Sequence, residues 1–174
     1  VKQLDENKHA IAMMKEITDH YEGNDNLRFV AFSINGVDEG TKPEDLKRAM
    51  GQLGIDDQRW WFLTTGDTKK QRGYIKDQLR LGLVSERSAG DQAGKWTFPS
   101  QIALIDREMH IRQRYDFREA KKFEDAAHEL LKEKPELKDV EKFKSALNAV
   151  DELKKTLYTN TDFVLSETKT GSRE

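Results

Sequence analysis

The sequence predicts a mixed α/β domain in which short apolar strands alternate with amphipathic helices. Residues 27–34 (LRFVAFSI) and 59–64 (RWWFLT) are apolar almost without interruption, which is typical of strands buried on both faces of a parallel sheet. Helical spacing of apolar residues separates these runs. Residues 96–115 then favour two strands joined by a tight turn at Asp106, with a further amphipathic helix behind them. A helix-covered sheet that ends in a hairpin follows from this order.

Local signals place the helices between the strands. A first helix over residues 8–21 is predicted by apolar side chains at three- and four-residue steps, and Gly23 ends it. Residues 41–44 (TKPE) give a capping-box pattern with a proline in the first turn, which predicts a second helix. Asp67 or Thr68 caps a third helix, which Gly82 ends.

The carboxyl-terminal third predicts a helical extension. Pro135 ends the helix behind the hairpin, and a further helix is predicted by the apolar stripe of Val140, Phe143, Leu147, Val150 and Leu157. Residues 161–165 (TDFVL) favour a short strand, followed by a polar tail. The expected organisation is therefore a domain over residues 1–134, a helical extension over 135–160, and a short strand with a tail over 161–174. The polar residues 85–95 are expected to form an exposed loop.

Composition argues against several classes of function. The 30 basic and 32 acidic residues give a net charge of −2, which does not favour a nucleic-acid partner. Without cysteine, these 174 residues hold no disulfide, thiol nucleophile or Cys-based metal site. No run approaches the roughly 18 apolar residues of a membrane helix. The four histidines, His9, His20, His110 and His128, are not spaced as metal ligands usually are. We also recognise no set of catalytic residues, so the sequence does not favour an enzyme.

Three segments, taken in order, resemble one known family. They are RFVAFSI with the helix start PEDLK at residues 43–47, RWWFLTTGD at residues 59–67, and SQIALIDREMHIRQRYD at residues 100–116. Together they resemble the Sco/SenC family of thioredoxin-fold copper-handling proteins, over about residues 8–134. The resemblance implies a thioredoxin-like three-layer fold with a mixed central sheet. It also implies an extracytoplasmic, usually membrane-associated protein that delivers copper to cytochrome oxidase or reduces thiols.

The residues that carry this chemistry in the family do not occur in the chain. The family uses a Cys-x-x-x-Cys before its first core helix and a His shortly before the Asp of the hairpin turn, and soft thiolates suit Cu(I). The resemblance places the second Cys near Leu4 and the His at Phe98. We therefore expect no copper site, no other cofactor and no catalytic residue in this stretch. Copper is expected only if a Cys motif precedes Val1.

The family also has a central strand ahead of the Cys motif, and this chain shows no such strand before its first helix. Two explanations stay open. An upstream segment supplies the strand, or residues 161–165 take its place in the sheet. The second explanation requires these residues to lie in the sheet as an extended segment.

The segment that enters the hairpin is the candidate site for a partner. Phe98 and Pro99, with Trp96 beside them, are expected to border the crevice of the fold and to offer an apolar surface to a partner peptide. The alternative is that Phe98 covers the crevice as part of the core. Trp60 and Trp61 are expected to pack in the core rather than stack on a ligand.

Three functions remain open from the sequence. The first is a degenerate Sco/SenC-like protein that acts by binding or assembly. The second is a pure interaction module that uses the crevice and the last helix to bind a partner or a second copy. The third is a thiol-disulfide or peroxide-reducing protein whose cysteines lie upstream of Val1.

Overall fold

The computed structural model describes residues 8–55, 58–88, 90 and 95–170, and the side chains of all of these except residues 8, 9 and 168–170. The protein is mixed α/β, as the sequence predicted. The chain divides into two compact units, Val1–Pro99 and Ser100–Glu174. The domain boundaries expected near residues 134 and 160 stay predictions. Leu4 and residues 171–174 of the predicted tail lie outside the described part.

The first unit contains a two-stranded parallel sheet with helices between its strands. Helix α1 spans Lys8–His20, strand β1 Phe29–Phe32, helix α2 Pro43–Gln52 and strand β2 Trp60–Leu63. Strands β1 and β2 run parallel with Phe29 opposite Trp60 and Phe32 opposite Leu63, which confirms the parallel pairing inferred from their sequences. Helix α3, Thr68–Gly73, continues into a π-helical turn at Tyr74–Gln78.

Two helices begin at the residues that the capping patterns predicted, but the cap of one helix lies one residue later than expected. Asp67 caps α3, because its carboxylate accepts a hydrogen bond from the Lys70 amide at 2.9 Å. Helix α2 begins at Pro43, as predicted, but its capping box links the Lys42 amide to the Asp45 carboxylate at 3.2 Å. The box expected to start at Thr41 is therefore formed one residue later, since Pro43 occupies the first helical position and fixes Lys42 as the cap.

One face of the parallel sheet is anchored to the end of α1. Phe29 and Trp60 are buried and stack with ring centres 5.4 Å apart. The Trp60 indole donates a 3.0 Å hydrogen bond to the Thr18 hydroxyl, which is itself buried. Arg59 donates to the backbone carbonyls of Thr18 and Tyr21. Buried polar groups need such partners, so these bonds fix the helix against the strands.

The loop expected over residues 85–95 is wrong at its amino end, where Ser85 and Glu86 form a strand. Strand β3, Ser85–Glu86, pairs antiparallel with strand β4, Trp96–Thr97. The Arg87 amide extends this ladder by donating to the Lys95 carbonyl at 2.9 Å. The polar composition misled the prediction because the buried residues that accompany this short hairpin, Val84, Trp96 and Phe98, lie at its ends and not within the polar run. Residues 89 and 91–94 lie outside the described part.

The second unit contains the predicted hairpin and three helices. Strand β5, Ile102–Ile105, pairs antiparallel with strand β6, Ile111–Tyr115, which confirms the hairpin. Helix α4 spans Phe117–Glu133 and ends just before Pro135, as predicted. The segment expected as one further helix is divided into α5, Glu141–Leu147, and α6, Ala149–Thr170, with a turn at Asn148.

The short strand expected over residues 161–165 is wrong, because these residues continue α6. Leu157, Thr161 and Val164 are buried at helical spacing, so the apolar stripe of the last helix extends through this segment. The Thr161 hydroxyl donates to the Leu157 carbonyl one turn earlier at 2.8 Å. The hypothesis that residues 161–165 replace the central strand is therefore wrong as well.

None of the helices described here is both long enough and apolar enough to cross a membrane.

Candidate functional site

The second face of the β1–β2 sheet is an apolar surface open to solvent. Val30, Trp61, Leu63 and Tyr74, which we call the open face, are exposed by 37%, 50%, 38% and 41%. The register aligns Val30 with Trp61 across the two strands. Both strands were expected to be buried on both faces, and for this face that expectation is wrong. Trp60 is buried as expected, whereas Trp61 is half exposed and does not belong to the core.

The outer edge of β1 pairs with no strand in the described part of the chain. The Phe29 amide donates to the carbonyl of Arg59, just before β2, and the Ser33 amide donates to the carbonyl of Leu63 at the end of β2. Alternation along a strand directs the backbone groups of Val30 and Phe32 to the opposite edge, where no described residue bonds them. The strand carries neither a charge nor a proline, the features that usually protect such an edge. The open face and this edge together are suited to an added strand or an apolar surface.

The structure brings together Trp96, Phe98 and Pro99, the residues predicted to border a crevice, but Trp96 and Phe98 are buried. Trp96 and Phe98 are each only 7% exposed and form a small core cluster with Val84, against which Ile34 packs. Pro99 lies against Gly82, where an added Cβ would approach the proline ring to 3.3 Å. This burial favours the interpretation of Phe98 as core, and its role as a partner surface stays a prediction.

Arg72 covers the Trp96 ring of this cluster. Its guanidinium lies 3.8 Å from the ring centre, and the Lys95 ammonium lies 4.7 Å from the same ring. The guanidinium also donates to the Ile34 carbonyl, the Asn35 side chain and Glu39 at 2.8–3.0 Å. Its Nε and Nη2 atoms therefore donate within the protein while its plane covers Trp96, so Arg72 has a structural role at this cluster.

A polar cluster lies where β1 and β2 end, at the edge where ligands bind in many open α/β sheets. The Gly36 amide donates to the Thr68 hydroxyl at 2.7 Å, and this hydroxyl donates to Asp38 at 2.6 Å. The Thr68 amide also donates to Asp38, at 2.9 Å. These bonds, first the hydroxyl and then the amide, lower the pKa of Asp38 below its ordinary value. The Asp38 carboxylate thus occupies the amino terminus of α3, where an external anion would otherwise bind.

Gln71 completes this cluster from inside the unit. It is 1% exposed, its amide nitrogen donates to the Ser33 carbonyl, and its amide oxygen accepts from the Thr65 amide. The sequence indicated Thr68 only as one of two possible caps of α3 and did not indicate the other members of the cluster. The sequence pattern that could have indicated this cluster is Gly36 and Asp38 after β1, together with Asp67 and Thr68 after β2.

The residues present do not fit the copper site of the resembling family. Phe98, at the family's histidine position, has no ligand atom, and the chain has no cysteine. Within the described residues, no three His, Asp or Glu side chains are grouped as metal ligands. Among the histidines, His110 contacts the Asp106 carboxylate at 3.4 Å and His20 contacts the Tyr21 ring.

Comparison of the chain with family models, curated proteins and solved structures finds no match.

Proposed function

We propose that this chain is a Sco/SenC-like protein with a thioredoxin-like fold that acts by binding a protein partner, without copper or thiol chemistry of its own. The proposal draws on the resemblance of three segments in order. It is supported by the parallel β1–β2 pair with helix α2 between its strands, and by the antiparallel β5–β6 hairpin followed by helix α4. An extracytoplasmic location belongs to the same proposal and is tested by cell fractionation.

The observation that carries the binding role is the open face. Val30, Trp61 and Leu63 lie on the same face of the two strands, and the Tyr74 ring lies 6.0 Å from the ring of Phe32 on this face. Each of the four side chains of the open face is more than a third exposed. Scattered exposed apolar residues are normal in proteins, but contiguous ones mark interaction surfaces. The edge of β1 that no described strand pairs adjoins this face and supplies directional backbone donors and acceptors. A protein partner therefore gains apolar burial and hydrogen bonds at one place.

The binding role is tested by site-specific photo-crosslinking in the cell of origin. A photoreactive aromatic residue is placed at Trp61 in one variant and at Leu83 in a matched control. Leu83 is 63% exposed but does not belong to the open face. We expect a discrete crosslinked adduct from position 61 and none from position 83. Equal adduct yields at the two positions, or none at position 61, would contradict the proposal.

The copper-free part of the proposal is tested separately. The chain is titrated with Cu(I) in the presence of a competing chelator of known affinity. We expect the chelator to retain the metal, because the soft thiolate ligands that select Cu(I) do not occur in these 174 residues. Stoichiometric removal of copper from the chelator would show that these residues hold a copper site after all.

A further inference from the structure

Two side-chain contacts join strand β6 to the end of helix α6, and the distance between the two contacts is about the same along the strand as along the helix. The Asn160 amide donates to the Tyr115 hydroxyl at 2.9 Å. Arg112 donates to the two carboxylate oxygens of Glu167, at 2.7 and 2.9 Å. Three residues of strand and seven residues of helix each extend about 10 Å, so the helix runs antiparallel to the strand between these points.

The helix covers the buried end of the strand between the two joints. Tyr115 has no exposed surface, and Thr161 and Val164 of α6 are 3% and 8% exposed. The burial of Tyr115 raises its pKa, since its hydroxyl lies away from water. Two turns of α6, residues 160–167, therefore contribute to the cover over this tyrosine.

Arg112 is held on the hairpin by groups other than the helix. It donates to the Asp106 carboxylate at 3.2 Å, and the side chain of Asp106 is only 6% exposed. Asp106 also accepts the His110 amide at 2.8 Å, within the hairpin turn. The guanidinium is therefore positioned for Glu167 before the helix end docks.

Glu167 lies in the last turn of α6, where a carboxylate is unfavourable. The carboxyl end of a helix carries a partial negative charge, which repels an acidic side chain. Arg112 offsets this repulsion through a bidentate pair, and its guanidinium also lies 5.9 Å from the ring centre of Phe163. Arg112 therefore contacts two residues of the helix end, Phe163 and Glu167.

We propose that residues 160–167 of α6 form a strap over β6, which opens locally from its carboxyl end and is closed by the pair of Arg112 and Glu167. Asn160 is the fixed end of the strap, because the buried Leu157 lies one turn before it. Opening uncovers Val164 and the Arg112 side of β6, while Asn160 stays bonded to Tyr115 and α4 and the first half of α6 stay folded. High salt weakens the exposed part of the pair and favours the open form.

The strap is tested by hydrogen exchange of the whole chain, measured by mass spectrometry. Arg112→Ala is expected to accelerate exchange of the amides of residues 163–167 about tenfold, because opening no longer breaks a bidentate ion pair. Arg112→Lys keeps the charge without the planar fork and is expected to give an intermediate rate. Salt at about 1 M is expected to accelerate the same amides in the unmodified chain.

Lys155→Ala is the matched control. Lys155 pairs with Glu152 at 2.9 Å on the same helix, with both side chains more than half exposed. We expect this variant to exchange like the unmodified chain. The proposal is overturned if Arg112→Ala leaves residues 163–167 unchanged. It is also overturned if residues 149–157 and α4 accelerate as much as the strap, since the variant would then destabilise the whole unit.

Discussion

Replacing Gly36 by alanine adds a single methyl group and is expected to lower the stability of the fold measurably. A Cβ there would lie 2.6 Å from the Asp38 carboxylate, 2.8 Å from the Thr68 nitrogen and 2.9 Å from the Thr65 oxygen. Its φ of −85° suits any residue, so the effect of Gly36→Ala is steric alone. Two of the three contacts are backbone atoms, which yield less readily than a side chain.

The magnitude follows from the contacts that must move. Forcing one methyl group into a filled space costs about 1–3 kcal/mol. The displacement also weakens the hydrogen bond from the Gly36 amide to Thr68, which contributes about 1 kcal/mol. We therefore expect Gly36→Ala to lower the free energy of unfolding by about 2–4 kcal/mol.

The assay is urea denaturation followed by tryptophan fluorescence, with Gly51→Ala as the control. Gly51 lies in α2, and no atom lies within 4 Å of its added Cβ. Alanine is the better helix former, so Gly51→Ala is expected to raise stability by up to about 1 kcal/mol. The steric explanation is wrong if Gly36→Ala unfolds at the same urea concentration as the unmodified chain. It is also wrong if Gly36→Ala and Gly51→Ala lose stability equally.

Three further outcomes are expected from the same structure. Hydrogen bonds lower the pKa of Asp38, so its contribution to stability is present above its unfolded pKa of about 3.9 and is lost as the pH falls through the folded value. Asp38→Asn should therefore flatten the loss of α3 amide protection below about pH 4, and an unchanged acid profile would contradict this. Tyr115→Phe leaves the Asn160 amide without its partner and should lower the free energy of unfolding by about 1 kcal/mol in thermal melts. Phe98→Ala should lower it by about 3–5 kcal/mol in urea, as expected for a buried ring, and a stable variant that only loses partner binding would restore the surface interpretation.

The sequence predicted the order of the elements because local signals determine most of it. Asp67 as a helix cap, Pro135 as a break and the turn after Asp106 each act within a few residues, and the structure has all three. The error over residues 161–165 has the opposite origin. A run of β-prone side chains favours a strand by itself, but the buried stripe of the preceding helix continues through it, and packing overrides local propensity.

The polar cluster at the ends of β1 and β2 could be predicted only in part. The sequence indicated that Thr68 starts a helix, but the carboxylate that binds there comes from Asp38, which lies 30 residues earlier. Such a contact depends on the parallel register of two strands and on the close approach of Gly36, which no local pattern encodes. The burial of Gln71 is similarly invisible, because a glutamine between charged residues is usually exposed.

The exposure of Trp61 links the sequence of the strands to the proposed function. Strands β1, β2 and β5 have the composition of interior strands, yet in the described part of the chain each has one paired neighbour. An unpaired backbone group in contact with water costs little, so such sheets persist until a partner arrives. Trp61 is half exposed, which leaves about 100 Å² of its surface in water, and covering this area releases about 2.5 kcal/mol of apolar transfer free energy, before the entropy lost on association is subtracted. Trp61 has the largest exposed fraction of the four side chains of the open face, so its truncation is expected to weaken the proposed complex more than truncation of Val30 or Leu63.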